Sequence, residues 1–198
     1  MAQRKMVFEH IEGMDLSNSQ TVLGRIERMT RRQFLPIVGP ERGKILTDII
    51  REIRPRRILE VGTLIGYSAV LMGNELGNDA HLTTIEIHAD EARVARENIE
   101  KAQISAKVDV IEGDAKKVLS TLSGRFDMVF IDAEKTEYLQ YLCLIEKRLH
   151  KGSVVVADNA GIFADEMRDY LDYVRSSGKY SSKYIPVGED GVEVSIKL

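Results

Sequence analysis

Arg57-Ile58-Leu59-Glu60-Val61-Gly62-Thr63-Leu64-Ile65-Gly66-Tyr67-Ser68 is the stretch whose reading decides the fold. A short apolar run stops at Gly62, Gly66 follows four residues on, and Tyr67–Leu76 then has helical character. A strand that breaks at glycine and passes into a helix opens an α/β unit. The pattern repeats downstream. His81–Ile87 is rich in β-branched residues, and Asp90–Gln103 carries a helical stripe of Ala92, Val94, Ala95, Ile99 and Ala102. Lys107–Glu112 reads as strand, Ala115–Leu122 as helix, and Asp127–Ile131 as a strand covered on both faces. Lys135–Leu149 reads as helix, Ser153–Ala157 as strand and Asp165–Arg175 as helix. Tyr180–Val187 and Val192–Leu198 have no helix between them, only Gly188-Glu189-Asp190-Gly191, so they predict an antiparallel hairpin.

Such alternation implies an α/β protein: a mostly parallel sheet with right-handed crossovers and helices on both faces. Ahead of it, Ser17–Gln33 and Glu41–Ile53 read as helices separated by Pro36 and Pro40. No linker or repeat divides the chain, so residues 1–198 are expected to form a single domain, with a helical extension over 1–56 and the α/β core over 57–198.

Composition fits this reading. The 198 residues include 43% hydrophobic and 30% charged side chains, as in an ordinary globular protein with a real core. One cysteine, Cys143, excludes an internal disulfide framework and a Cys-based zinc site, which makes a cytoplasmic location the expectation. Cys143 stands among Leu142, Leu144 and Ile145 and reads as core. No apolar run is long enough to span a membrane, and the first six residues lack the apolar core of a signal peptide. The net charge of −3 disfavours a polycationic nucleic-acid binder, yet residues 1–57 carry 12 basic and 7 acidic side chains. The remainder carries the compensating acidity.

In open α/β sheets, ligands bind beyond the carboxyl ends of the strands. Gly62 lets the backbone leave the strand sharply, and Gly66 is expected to let a ligand approach the next helix. Their GxxxG spacing is not the GxGxxG of a dinucleotide site, and on the glycines alone a plain strand-to-helix turn fits equally well. Glu86 changes the balance: it ends the second strand 20 residues after Gly66, where a carboxylate can accept both hydroxyls of a ribose. Glu60, just before Gly62, can hold an ammonium group. Ribose plus an amino-acid tail describes S-adenosylmethionine.

Two later strands also end in acids, in Phe130-Ile131-Asp132-Ala133-Glu134-Lys135 and Val156-Ala157-Asp158-Asn159. If these strands are neighbours, Asp132, Asp158 and Asn159 converge. An all-oxygen set without His or Cys suits Mg²⁺, Mn²⁺ or Ca²⁺ rather than zinc, and His10, His81, His88 and His150 show no ligand spacing. Read singly, Asp132 could be a helix N-cap and Asp158-Asn159 a turn. Read together beside a nucleotide-type site, they favour a metal. From spacing alone, Lys135 is a solvated helix lysine.

These residues resemble the cation-dependent O-methyltransferases, the group of catechol and caffeoyl-CoA O-methyltransferases. The resemblance rests on ILEVGTLIGYSAV (58–70), TIEI (84–87), GDA (113–115), FDMVFIDAEK (126–135), VVADN (155–159) and the ending IPVGEDGVEVSI (185–196). Pro36-Ile37-Val38-Gly39 and Arg42-Gly43-Lys44 resemble the family's segment before the first core helix. The resemblance implies the Rossmann-like class I methyltransferase fold, seven strands in order 3-2-1-4-5-7-6 with a reversed pair at the end. It also implies cofactor positions at Val38, Glu60, Gly62, Thr63, Ser68, Glu86, Ala115 and Asp132, a metal at Asp132, Asp158 and Asn159, and a catalytic Lys135. The implied activity is divalent-cation-dependent methyl transfer from S-adenosylmethionine to a hydroxyl of a small catechol-like or polyhydroxylated molecule. A cation there would acidify the acceptor hydroxyl and depress the lysine's pKa, making it a usable base.

The match departs in places. The chain has no Trp, whereas catechol methyltransferases have aromatic gates, and Tyr184 falls near the place of a family glutamate. Where the family often has a Pro-Gly loop, this chain reads Ala160-Gly161-Ile162-Phe163-Ala164. A sister branch with the same motifs methylates the wobble hydroxyuridine of tRNA. Arg25, Arg28 and Arg32 on one helical face, with Arg54, Arg56 and Arg57 before the sheet, could bind phosphates or be merely solvated. A non-catalytic S-adenosylmethionine-binding module is the reading from another class, and it leaves Lys135 and the metal set without a purpose. The apolar face of the first helix (Val22, Ile26, Met29) serves either a homodimer partner or the sheet.

Overall fold

The computed structural model describes residues 19–198; the reading of Ser17, of His10 and of the first six residues lies outside them. Two helices, α1 (Ser19–Thr30) and α2 (Gly39–Ile53), precede the sheet. The core then runs β1 (Arg57–Val61), α3 (Tyr67–Asn74), β2 (His81–Glu86), α4 (Ala89–Ala102), β3 (Lys107–Glu112), α5 (Ala115–Thr121) and β4 (Phe126–Ile131). It continues with α6 (Tyr138–Ile145), β5 (Leu149–Asp158), α7 (Arg168–Ser176), β6 (Tyr180–Val187) and β7 (Asp190–Lys197). The strand order is β3-β2-β1-β4-β5-β7-β6, as the resemblance implied. Of the terminal pair only β7 is reversed: it is antiparallel to both β5 and β6, and β6 therefore runs with the rest.

Side chains alternate across each strand, so each strand feeds two cores. Ile58, Met128, Phe130, Val154 and Val156 face one side, with Val22, Leu46, Ile50 and Val70 from the N-terminal helices and α3. Leu59, Val61, Val129, Ile131, Val155 and Ala157 face the other, with Leu142, Ile145, Leu171 and Val174. Burial on both faces explains why β4 and β5 read as continuous apolar runs. Val22 and Ile26 are 1% and 2% exposed because α1 packs on α3 and α4, so this face of the helix covers its own chain.

Three sequence expectations shift. The helix expected over 135–149 is broken into a 3-10 turn (Lys135–Glu137), α6 and a second 3-10 turn (Glu146–Arg148), and β5 starts at Leu149, not Ser153. The loop joining β6 to β7 is only Gly188-Glu189, since Val187 pairs with Asp190; Gly188 at φ 59 supplies the left-handed turn. Cys143 is exposed, not core. Tyr138, Tyr141, Leu142 and Ile145 form the buried i, i+3, i+4, i+7 stripe of α6, which turns residue 143 outward. Among the described residues no helix is long and apolar enough to cross a membrane.

Candidate active site

Parallel strands that end together place their following residues side by side. Ile131 of β4 pairs with Ala157 of β5, so Asp132 and Asp158 leave adjacent strand ends in register, with Asn159 next in line. β1 lies on the other side of β4, where Val61 pairs with Ile131 and the Asp132 N–H donates to the Val61 carbonyl at 2.9 Å. Gly62, at φ 97, is required here by contact: a Cβ would lie 1.9 Å from the Asp132 carbonyl oxygen. Gly66, at φ 86, is not among the residues lining the cavity at this edge. Its missing Cβ makes room for Ala95 of α4, at 3.2–3.3 Å.

A broad cavity of about 2010 Å³ opens along this carboxyl edge. Val38, Gly62, Thr63, Ser68, Glu86, Ala115, Asp132, Lys135, Asp158 and Asn159 all line it. Glu60 does not line it: it is 0% exposed and lies beneath the floor. Its Oε2 accepts from Thr84 Oγ1 at 2.5 Å, and Thr84 shares a 2.5 Å hydrogen bond with Thr63. Its Oε1 has no hydrogen-bond partner. Burial pushes the Glu60 carboxyl up to about 7, against the Ser68 and Thr84 hydroxyls and with help from the Asp132 and Glu86 charges.

Glu86 organises the turn after β1. Its Oε2 accepts the N–H groups of Thr63 (3.2 Å) and Leu64 (2.7 Å), and its Oε1 accepts the His88 N–H at 2.9 Å. Glu86, His88 and Glu91 offer donor atoms within 4.8 Å of one another, a grouping the sequence did not announce. His88 Nδ1 lies 3.2 Å from Glu86 and 3.3 Å from Glu91, and this bridge accounts for the grouping without an ion. Ala115 begins α5 directly after Asp114, whose side chain caps the helix by accepting the Lys116 N–H at 2.9 Å.

At the other end of the cavity the helix-cap alternative for Asp132 falls away: Glu134 caps the 3-10 turn instead. Asp132 Oδ1 accepts from Lys135 Nζ at 2.9 Å, and the same ammonium donates to the Tyr138 hydroxyl at 3.0 Å. Tyr138 is wholly buried, against the Tyr170 ring edge-on at 5.8 Å. Lys135 is thus a held side chain, not a solvated one. Nothing in its spacing to Asp132 signalled the role of Tyr138, which needed the turn geometry.

Asp158 is 1% exposed, and burial beside Asp132 raises its carboxyl to about 7, although Arg42 and Lys135 oppose this. Its Oδ1 accepts no hydrogen bond; Arg42 Nη1 faces it at 3.2 Å. Asn159 takes the left-handed conformation, φ 62, so a turn does begin at that residue. Asp190, from the start of β7, accepts from Asn159 Nδ2 at 2.8 Å and Arg42 Nη1 at 2.7 Å. Asn159, with the Ile162, Gly191 and Gly161 N–H groups, holds the Asp190 carboxyl below the usual range despite its partial burial. Arg42 and Asp190 were visible only as parts of motifs. The mouth carries Phe34 (91% exposed), Ile162 and Phe163, with the Phe163 ring centre 5.9 Å from Lys135 Nζ.

The basic residues do not share one face. Arg32 lines the cavity, whereas Arg54 and Arg56 precede β1 and Arg57 begins it, so they lie at the opposite edge of the sheet. Arg57 covers the Phe126 ring at 5.2 Å and Arg56 faces Asp79 at 3.4 Å. Arg25 is partly buried, and burial together with the Arg28 charge lowers its pKa.

Comparison with known proteins agrees with this geometry. The sequence profile of the O-methyltransferase family matches residues 14–170. The chain is 36% identical over 193 residues to catechol O-methyltransferase B of Danio rerio, covering 90% of this chain and 72% of that one. It is 28% identical over 145 residues to caffeoyl-CoA O-methyltransferase of Stellaria longipes, covering 69% and 60%. Among solved structures, the Bacillus cereus O-methyltransferase in complex with SAH superposes with a TM-score of 0.80 at 25% identity, covering 100% and 98%. The Streptomyces achromogenes O-methyltransferase of tomaymycin synthesis, in complex with SAM, gives 0.79 at 28%, covering 89% of each. Fold, cavity and relatives converge on one assignment: the chain belongs to the O-methyltransferase family and is an S-adenosylmethionine-dependent O-methyltransferase of the catechol and caffeoyl-CoA type.

Proposed function

We propose that the protein transfers a methyl group from S-adenosylmethionine to a hydroxyl of a small catechol-like or polyhydroxylated acceptor, with a divalent cation held by Asp132, Asp158 and Asn159. The observation that carries this reading is the meeting of those three oxygen-bearing side chains with Lys135 in the cavity that Glu86 and Gly62 also line. The donors fit a hard cation. The Asp132 charge raises the cost of ionising Asp158, Asp158 Oδ1 is buried without a hydrogen bond, and all three donors are oxygens.

When bound, the sulfonium cofactor supplies an electrophilic methyl group, and the dication acidifies a neighbouring hydroxyl and favours a neutral lysine beside it. The chain's own residues do the rest. Glu86 takes the ribose hydroxyls, and Val38, Thr63, Ser68 and Ala115 form the walls around the cofactor. Glu60 sets the charge beneath the amino-acid tail. Lys135, aimed by Asp132 and Tyr138, receives the acceptor's proton at Nζ. Phe34 and Phe163 at the mouth suit a flat apolar ring, which favours a phenolic acceptor. Holding the acceptor oxygen in line with the methyl contributes an orientation term of several kcal/mol.

Methyl incorporation from labelled S-adenosylmethionine, with Mg²⁺ and with a chelator, across catechols, other polyhydroxylated molecules and bulk tRNA tests the reading. Catechol methylation that stops on chelation is the expected result. Turnover indifferent to divalent cations would sink the metal assignment. Incorporation into tRNA alone would instead favour the wobble-hydroxyuridine reading, which draws on Arg32 at the cavity rim.

A further inference from the structure

We infer that Asp190, at the β6–β7 turn, is a positioning residue that decides which atom Asn159 offers to the cation; the inference rests on the metal reading above. An asparagine amide has an oxygen that can ligate a metal and a nitrogen that cannot. Nothing in Asn159 itself selects between the two orientations. A carboxylate selects, because it only accepts hydrogen bonds. Asp190 Oδ2 accepts from Asn159 Nδ2 at 2.8 Å, which leaves Asn159 Oδ1 as the atom of that group available to the cavity.

The rest of the environment keeps Asp190 in place. Its Oδ1 accepts the N–H groups of Gly161 and Ile162, both at 3.1 Å, and its Oδ2 is shared with Arg42 Nη1 at 2.7 Å. The Ala160 N–H donates to the Gly191 carbonyl at 3.0 Å, and the Tyr184 hydroxyl to the Asp190 carbonyl at 2.8 Å. Hairpin and loop touch without slack: a Cβ on Gly161 would lie 2.5 Å from the Tyr184 hydroxyl and 3.1 Å from the Asp190 Cα. The closing hairpin is therefore a support for the metal-binding loop. Arg42, 3.2 Å from Asp158 Oδ1 as well, ties the start of α2 to the same pair of acids.

The test exchanges the partners. In Asp190→Asn, the new amide keeps its oxygen toward Gly161 and Ile162 and turns its nitrogen toward Asn159, which must flip and present Nδ2 to the cavity. Adding Asn159→Asp restores an N–H···O pair, an oxygen facing the cavity and the original net charge. Mn²⁺ binding, read by electron paramagnetic resonance on the full chain without cofactor or acceptor, is expected to weaken about 10–100-fold in D190N. It should return to within about 3-fold of wild type in D190N/N159D. A folded D190N that binds Mn²⁺ like wild type, or an exchange variant as weak as D190N, would overturn the inference. If D190N does not fold, the exchange variant decides alone, near-wild-type affinity supporting the inference and a 10-fold loss overturning it. A wild-type chain that takes up no Mn²⁺ overturns the metal reading itself, and the inference with it.

Discussion

The ammonium of Lys135 and the buried hydroxyl of Tyr138 are 3.0 Å apart, three residues from each other in a turn too tight to be α-helix. The 3-10 geometry brings residues i and i+3 into eclipse, which a helix over 135–149 would not have done as closely. Tyr138 is therefore a second partner that fixes the lysine, beside Asp132.

Tyr138→Phe keeps the ring packed against Tyr170 and removes only the hydroxyl. The expected stability loss is about 1–3 kcal/mol, because the hydroxyl accepts from Lys135 Nζ and also donates to the Asp158 carbonyl at 3.4 Å. Methyl transfer should lose about 10-fold in kcat with acceptor KM little changed, whereas Lys135→Ala should lose about 10²–10⁴-fold. Steady-state kinetics on both variants checks this. An unaltered kcat in Tyr138→Phe would show that Asp132 alone aims the lysine.

Gly62 and Gly188 both have positive φ, but for different reasons. At Gly62 a Cβ meets the Asp132 backbone, and at Gly188, φ 59, it meets nothing within 4 Å. Gly62→Ala should cost about 3 kcal/mol or more and abolish cofactor binding by forcing the β1 and β4 exits apart. Gly188→Asn, which tolerates the left-handed region, should cost only a few tenths of a kcal/mol. Urea denaturation of the two variants separates contact from conformation; equal losses would refute the distinction.

The sheet was legible because its signals are local and periodic. β4 and β5 are apolar runs buried on both faces, and the acids at their ends needed only the parallel register to meet. Three features were not legible, each for a physical reason. Gly66 serves packing against Ala95, a contact 29 positions away that no local pattern encodes. Cys143 looked apolar by its neighbours, yet the helical phase set by Tyr138 and Tyr141 turns it outward. Asp190 looked like a turn residue and is one, but its carboxylate also reaches Asn159, a partner fixed only by the pairing of β7 with β5.

Phe163 lines the cavity, partly exposed and with its ring centre 5.9 Å from Lys135 Nζ. If a flat ring stacks there, Phe163→Ala should raise KM for an aromatic acceptor about 5–10-fold, the equivalent of about 1 kcal/mol, and leave KM for the cofactor unchanged. Kinetics with varied acceptor and then varied cofactor would reveal this. A matching rise in both constants would place Phe163 in general packing rather than in acceptor recognition.

The buried Glu60 carboxyl couples folding to pH through a single proton. An unfolded glutamate ionises near 4.5, but in the fold burial raises the group to about 7. Between those values the folded state holds the proton and the unfolded state does not, so stability falls as pH rises through the window. It is fully present below 4.5 and flat again above about 7, and the total change has an upper bound of about 3 kcal/mol. Glu60→Gln should remove that slope, so the variant gains on wild type in melting temperature between pH 5 and 8. The proposed role of Glu60 beneath the cofactor's ammonium adds a second readout of opposite sign. Wild-type affinity for S-adenosylmethionine should rise about 10-fold across the same range, as the carboxylate ionises, while Glu60→Gln should bind weakly at both ends. Calorimetry at pH 6 and pH 8 decides: wild-type affinity that does not change with pH would confine Glu60 to a structural part in the floor of the site.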